Sequence, residues 1–201
     1  MKIKICGLTE PEEAAYLNTY GADFAGLVLF HPKSKRNNTI ARAKEIMREL
    51  NPAIKRVAVV VSPTKAQIRE IAQSGFDYIQ IHGNLDANLL SATPLLVLRA
   101  FNVKDMGEYA QYSACPQIAG YVFDAAKPGS GSTFDWNLLQ QIPRDEKLLF
   151  LAGGLHPGNV SQAIQAVRPD GVDVSSGVEY EECPGKDPDK IKNFISAARN
   201  A

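Results

Sequence analysis

Four residues that can hold or move a proton stand at the ends of short apolar runs in this 201-residue chain: Cys6, His82, Asp124 and Asp173. A thiolate and a carboxylic acid placed together can act as general base and general acid, but each needs tuning. A free cysteine, with a pKa of about 8.5, is only a few per cent thiolate at pH 7, so neighbouring positive charge or a helix terminus must lower it. A free aspartic acid ionises near about 3.9, and raising it to about 6–7 takes roughly 3–4 kcal/mol of desolvation or like-charge repulsion. The plainer readings are a buried small hydrophobe for Cys6 and a helix cap for Asp124.

Two further groups suit anions. Gly153-Gly154 and Ser175-Ser176-Gly177 offer backbone N–H groups that a ligand can approach closely, together with hydroxyl donors. His31-Pro32-Lys33-Ser34-Lys35-Arg36 is basic, and Arg36 supplies a planar fork for a carboxylate, although such a run also serves as a solvated loop. His82 is read as a ligand, a shuttle or a hydrogen-bonding rim residue, and His31, His82 and His156 together keep a metal site open. Lys127–Thr133 is read as a lid or as a plain loop.

The elements that must position these residues repeat one pattern, an apolar β-rich run, a turn and a helical stretch. The runs are KIKICGL from 2, DFAGLVLF from 23, RVAVVVS from 56, YIQIHG from 78, LLVLRAF from 95, GYVFDAA from 120, LLFLAGG from 148 and GVDVSSG from 171. Their near-continuous apolarity fits parallel strands covered on both faces. Helix starts are expected after Thr9, which precedes Pro11 and acidic residues, and at Thr39 and Ser62–Thr64, with further helices over 157–168 and 188–199. Eight strand–helix units predict an α/β fold, a (β/α)8 TIM barrel forming a single domain over 1–201. An open doubly wound sheet is the competitor, but Cys6-Gly7-Leu8-Thr9 is neither GxGxxG nor a Walker A loop. In a barrel the C-terminal strand ends carry the chemistry, and the loops after the last two strands commonly hold phosphate.

Composition narrows the partners. The 22 Lys and Arg balance 22 Asp and Glu, so no net field would hold nucleic acid or an anionic membrane. No apolar stretch approaches the roughly 18 residues of a membrane span. The start of the chain lacks the pattern of a secretory leader, which predicts a cytoplasmic protein. Three widely spaced cysteines fit reduced thiols better than a disulfide framework or a CxxC site.

KICGLT at 4–9, FHPKSKR ending at Arg36, QIHG at 80–83, FD at 123–124 with GSGSTFDW at 129–136, LAGGLHPGNV at 151–160, DVSSGVE at 173–179 and PGKDPDKI at 184–191 occur in order along the chain. Together they resemble the phosphoribosylanthranilate isomerases, (β/α)8 enzymes that perform an Amadori rearrangement in tryptophan biosynthesis without a cofactor. The resemblance implies Cys6 as general base and Asp124 as general acid. It implies Arg36 on the anthranilate carboxylate, Asp173 on a sugar hydroxyl, His82 as a further substrate contact, and Gly153, Gly154, Ser175 and Ser176 around the phosphate. The expected partner is a small phosphosugar-anthranilate substrate, with no metal, and monomer and homodimer both remain open. The chain departs from the family pattern in a short stretch between Asp124 and Phe134, in Ser132 where many members have lysine, and in Asn84-Leu85 after the QxHG run. The alternatives are a metal-dependent sugar-phosphate epimerase using the rim histidines with Asp124 or Asp173, and a catalytically silent phosphosugar-binding barrel.

Overall fold

The computed structural model describes residues 1–102, 109–124, 136, 139 and 144–201. Its strands are β1 (Lys2–Cys6), β2 (Phe24–Leu29), β3 (Asn37–Asn38), β4 (Lys55–Val61), β5 (Tyr78–His82), β6 (Leu96–Asn102), β7 (Ile118–Asp124), β8 (Leu148–Leu151) and β9 (Gly171–Val174). All ladders are parallel, and the order β1-β9-β8-β7-β6-β5-β4-β2 closes through a β1–β2 pairing into an eight-stranded barrel. The eight predicted runs are these eight strands. The two-residue β3 is additional, and continues along the edge of β2 that β1 leaves after Gly26.

Among the described residues the helices are α1 (Glu13–Tyr20), α2 (Ile40–Glu49), α3 (Lys65–Ala72), α4 (Ala87–Ala92), α5 (Tyr109–Ser113), α6 (Val160–Val167) and α7 (Pro188–Arg199). The helix expected after Asp124, the candidate lid Lys127–Thr133 and Ser132 lie outside the described residues. Thr39 and Thr64 cap as expected: Thr39 Oγ1 accepts from the Arg42 N–H, and Thr64 forms a reciprocal capping box with Gln67. The first helix differs. It begins at Glu13, whose own carboxylate accepts the N–H groups of Thr9 at 2.7 Å and Glu10 at 3.2 Å, so the carboxylate rather than the Thr9 hydroxyl satisfies the approach to the helix.

Side chains alternate across each strand, so one parity points into the barrel and the other toward the helices. Cys6, Phe24, Val57, Val59, Leu98, Ala100, Val122, Phe150 and Ala152 form the interior cluster, in which Phe24 and Phe150 pack edge to face with ring centres 5.3 Å apart. A larger cluster, including Ile3, Ile5, Ile79, Ile81, Phe123 and Leu151, packs the outer face against the helices. The same parity that places Val57 and Val59 inside also directs Lys4, Gln80 and Asp173 inward, which is why three polar side chains are buried in the barrel.

The opposite end of the barrel is tied by a repeated device. Asp23, Asp77 and Asp170 each precede a strand, and each carboxylate accepts a backbone N–H from the neighbouring strand: Ile3 at 2.9 Å, Arg56 at 2.8 Å and Leu149 at 2.8 Å. Each aspartate also donates its own N–H to the same residue's carbonyl. This end is remote from the strand C-termini, so loss of one tie should act on stability alone. Asp77→Ala is expected to lower the unfolding free energy by about 1–2 kcal/mol with kcat unchanged, checked by urea denaturation beside steady-state kinetics.

Candidate active site

At the C-terminal ends of the strands a cavity of about 750 Å3 opens, a size suited to a small ligand. Cys6, Arg36, His82, Asp124, Gly153, Gly154, Asp173, Ser175 and Ser176, all expected from the sequence, line it, whereas Gly177 does not. His31 also lines it. His156 instead caps its own turn, its Nδ1 accepting from the Gly158 N–H at 3.2 Å. Among the described residues no three His, Cys, Asp or Glu side chains converge as a metal-ligand set, so the epimerase alternative finds no ligand cluster there. Nor is any described helix long and apolar enough to cross a membrane.

The floor is built on β1 and β9. Lys4 and Asp173 are register partners across the seam of the barrel, and Lys4 Nζ donates to Asp173 Oδ2 at 2.7 Å. Burial opposes the Lys4 charge, but Asp173 and the adjacent Cys6 hold its pKa above the usual value. Asp173 is pressed upward by burial against the pull of Lys4 and Lys186. Its second oxygen, Oδ1, is buried without a hydrogen-bond partner among the described residues and belongs to a cavity-lining side chain, an acceptor suited to a ligand hydroxyl.

Cys6 sits two residues above Lys4 on the same face. Room for both comes from Gly26 on the neighbouring strand, where a Cβ would lie 2.8 Å from Cys6 Sγ and 3.1 Å from Lys4 Nζ. Burial pushes the thiol above its usual pKa. Lys4 and Lys186 pull it down, and Asp173 pushes it up. The sequence reading required positive charge to lower this pKa. The charge is present, but burial outweighs it. Asp124 ends β7 beside Asn102 of β6, and both residues face the same cavity.

His82 is pulled down to about 4 by burial and by the positive charge of Lys4 and Arg99, so it is neutral around pH 7. Gln80 Nε2 lies 2.8 Å from His82 Nε2. With the amide so oriented, the ring accepts at Nε2 and carries its proton on Nδ1. Asn84, one of the departures, donates its backbone N–H to Ser62 Oγ, and Leu85 is buried, so neither substitution disturbs the cavity wall.

The glycine-serine end is formed by two loops in tight contact. Gly153 and Gly154 adopt φ of 85° and 65°, the left-handed region that favours glycine. A Cβ on Gly177 would overlap the Leu155 carbonyl, which binds the loop after β9 to the loop after β8. Ser175 departs from expectation: its hydroxyl donates to the Cys6 carbonyl at 2.9 Å, so its side-chain proton braces β1 rather than facing an anion.

Arg36 is engaged from the side. Its Nε and Nη2 donate to Glu179 at 2.5 and 3.1 Å, and Glu179 also meets Lys35 at 2.8 Å and Lys186 at 3.1 Å. Burial alone would raise the Glu179 carboxyl, but the Arg36 hydrogen bonds, Lys186 and Lys35 hold it at about 2. Lys4, Gln80, Glu179 and Lys186 are the cavity's supporting residues that sequence reasoning did not single out. The signals were present, Lys4 in the parity it shares with Cys6, and Glu179 and Lys186 inside DVSSGVE and PGKDPDKI.

The profile of the N-(5'phosphoribosyl)anthranilate (PRA) isomerase family matches residues 3–197. This chain belongs to that family. It is 37% identical over 206 residues to the N-(5'-phosphoribosyl)anthranilate isomerase of Aquifex aeolicus, covering 100% of this chain and 99% of that one. It is 39% identical to the Bacillus cereus isomerase, over 99% and 98% of the two chains. Its fold superposes on the crystal structure of the Thermotoga maritima phosphoribosyl anthranilate isomerase with a TM-score of 0.89, 37% identity and complete coverage of both chains. A second isomerase structure, solved with reduced 1-(o-carboxyphenylamino)-1-deoxyribulose 5-phosphate, matches with a TM-score of 0.82 and 35% identity over 100% of both chains.

The raised thiol pKa has a measurable sign. Thiolate appears at higher pH than in free cysteine, so alkylation of Cys6 by iodoacetamide should keep accelerating above pH 8.5, the ordinary midpoint of about 8.5 being exceeded. A Cys115→Ala/Cys183→Ala background isolates Cys6, and a rate that levels off below pH 8 would contradict the burial argument.

Proposed function

We propose that this barrel isomerises N-(5-phosphoribosyl)anthranilate to 1-(2-carboxyphenylamino)-1-deoxyribulose 5-phosphate, as its family name states, with its own side chains as acid and base. The observation that carries the reading is the placement of Cys6 and Asp124 in one cavity that has a glycine-serine end and a guanidinium end. The substrate carries one phosphate and one carboxylate, and an apolar ring between them. Val28, Val59, Val61 and Leu155 line the cavity as apolar wall.

Asp124 protonates the ribose ring oxygen, and the C1–O bond breaks to leave a Schiff base between C1 and the anthranilate nitrogen. The Cys6 thiolate then removes the C2 proton, and the electron pair moves through C1 to neutralise the iminium nitrogen, giving an enolamine. Return of a proton to C1 and loss of the enol proton leave the 2-ketone. Lys4 balances the negative charge on sulfur, and Asp173 Oδ1 accepts from a ribose hydroxyl. Gly153, Gly154, Ser175 and Ser176 hold the phosphate, with Ser175 contributing through its backbone. Neutral His82 donates from Nδ1 to a substrate acceptor. No step draws on a metal or an organic cofactor, and the protein acts in the cytoplasm as a monomer or homodimer. A related isomerase from Thermotoga maritima is described as dimeric.

Turnover is followed as loss of anthranilate-type fluorescence from freshly generated phosphoribosylanthranilate, with EDTA present. Cys6→Ser and Asp124→Asn should each lower kcat more than about 100-fold, because a general acid or base step contributes roughly 10²–10⁴, while the affinity for the reduced product stays within about threefold. Near-normal turnover in either variant would remove that residue from its role. Tight binding of the reduced product by a wild-type protein with no turnover would mark a silent phosphosugar-binding barrel instead.

A further inference from the structure

Arg36 is held by two contacts, and the second of them is itself braced. Its stem lies across Gly7, where a Cβ would overlap Arg36 Cδ. Its Nε and one Nη2 hydrogen are taken by Glu179 in a side-on, two-point grip. Glu179 in turn is fixed from behind by Lys186 Nζ, which is fully buried and also donates to the Ser175 carbonyl at 3.1 Å. A backbone bridge between Glu179 and Lys186 fixes the pair in register.

A guanidinium carries five N–H hydrogens in one plane, and a side-on carboxylate uses two of them. Three hydrogens remain on Nη1 and Nη2; two of them lie on the Nη1–Nη2 edge, which faces about 120° away from the gripped edge in the same plane, and Arg36 lines the cavity. Arginine in this position without a second-side partner would lose rotamer freedom on binding its ligand. Glu179 removes that freedom beforehand. Its negative charge does not cancel the attraction for a second anion, because Lys35, Arg36 and Lys186 surround one carboxylate and the group keeps a net charge of about +2.

We propose that Glu179 is a positioning residue for the carboxylate end of the substrate, orienting Arg36 so that its Nη1–Nη2 edge faces the anthranilate carboxylate in a second, end-on pair. This rests on the assignment of Arg36 to that carboxylate. Glu179 itself does not touch the ligand, so its effect passes through Arg36 and is confined to ligands that carry a carboxylate.

The test is a binding cycle with two ligands, reduced 1-(o-carboxyphenylamino)-1-deoxyribulose 5-phosphate and its phenylamino counterpart without the carboxylate. Wild type, Glu179→Gln, Arg36→Ala and the double variant are titrated by ligand fluorescence, with urea unfolding to verify that each is folded. Glu179→Gln is expected to weaken the carboxylate ligand by about tenfold, leave the decarboxylated ligand within twofold, and have no further effect in the Arg36→Ala background. In turnover the same variant should raise KM about tenfold with kcat within about twofold. Equal weakening of both ligands, tighter binding of the carboxylate ligand, or an undiminished penalty in the Arg36→Ala background would each overturn the role of Glu179 while leaving Arg36 in place. If Arg36→Ala itself fails to distinguish the two ligands, the assignment of Arg36 falls and the positioning role falls with it.

Discussion

The Lys4–Asp173 ion pair occupies the seam where the last barrel strand meets the first, and the candidate site is assembled around it. Lys4 is fully buried and Asp173 is only 6% exposed, and removing one partner from such a pair costs about 3–5 kcal/mol because the other charge is left buried alone. The pair therefore does more than close the ladder between β1 and β9. It sets a lysine ammonium beneath the Cys6 thiol and leaves one buried oxygen of the cavity-lining Asp173 without a partner among the described residues. Strand register, thiol environment and a ligand acceptor are consequences of one contact.

The thiol illustrates how burial and charge compete in such a place. Burial of the thiol disfavours the thiolate, and the two lysines close to it oppose that effect without overcoming it. The opposite balance is reached at Glu179, where three cations and two guanidinium hydrogen bonds outweigh burial. Both residues are well enclosed. The difference lies in the number of direct hydrogen bonds made to the charged form, since an ammonium beside a thiolate gives less than a guanidinium fork on a carboxylate.

The barrel itself was legible because its strands are covered on both faces and read as apolar runs separated by regular helical spacing, and because residues at their C-terminal ends must share one rim. That logic placed Cys6, His82, Asp124 and Asp173 together without knowledge of any pair of contacts. It failed where a side chain's role depends on a partner far away in sequence. Ile3-Lys4-Ile5 looks like a half-exposed strand with an outward lysine, and only closure of the barrel turns that lysine inward against a residue 169 positions away. The direction of the Ser175 hydroxyl was hidden for a similar reason, its acceptor being the backbone of β1. At the first helix the local signal was misleading, since the helix begins at Glu13 and that residue's own carboxylate, reaching back to the Thr9 and Glu10 N–H groups, organises the approach. Ser132 and the stretch around it lie among residues the structure does not describe.

Residues 175–186, between β9 and α7, contain Ser175 and Ser176 at one extreme and the Glu179–Lys186 bridge that grips Arg36 at the other. One short segment thus carries both the serines and the clamp on Arg36, and Lys186 knots the two together by donating to the Ser175 carbonyl and to Glu179, each at 3.1 Å. A residue inserted or deleted there would displace the serines and the guanidinium as one body while leaving the acid and the base on their own strands.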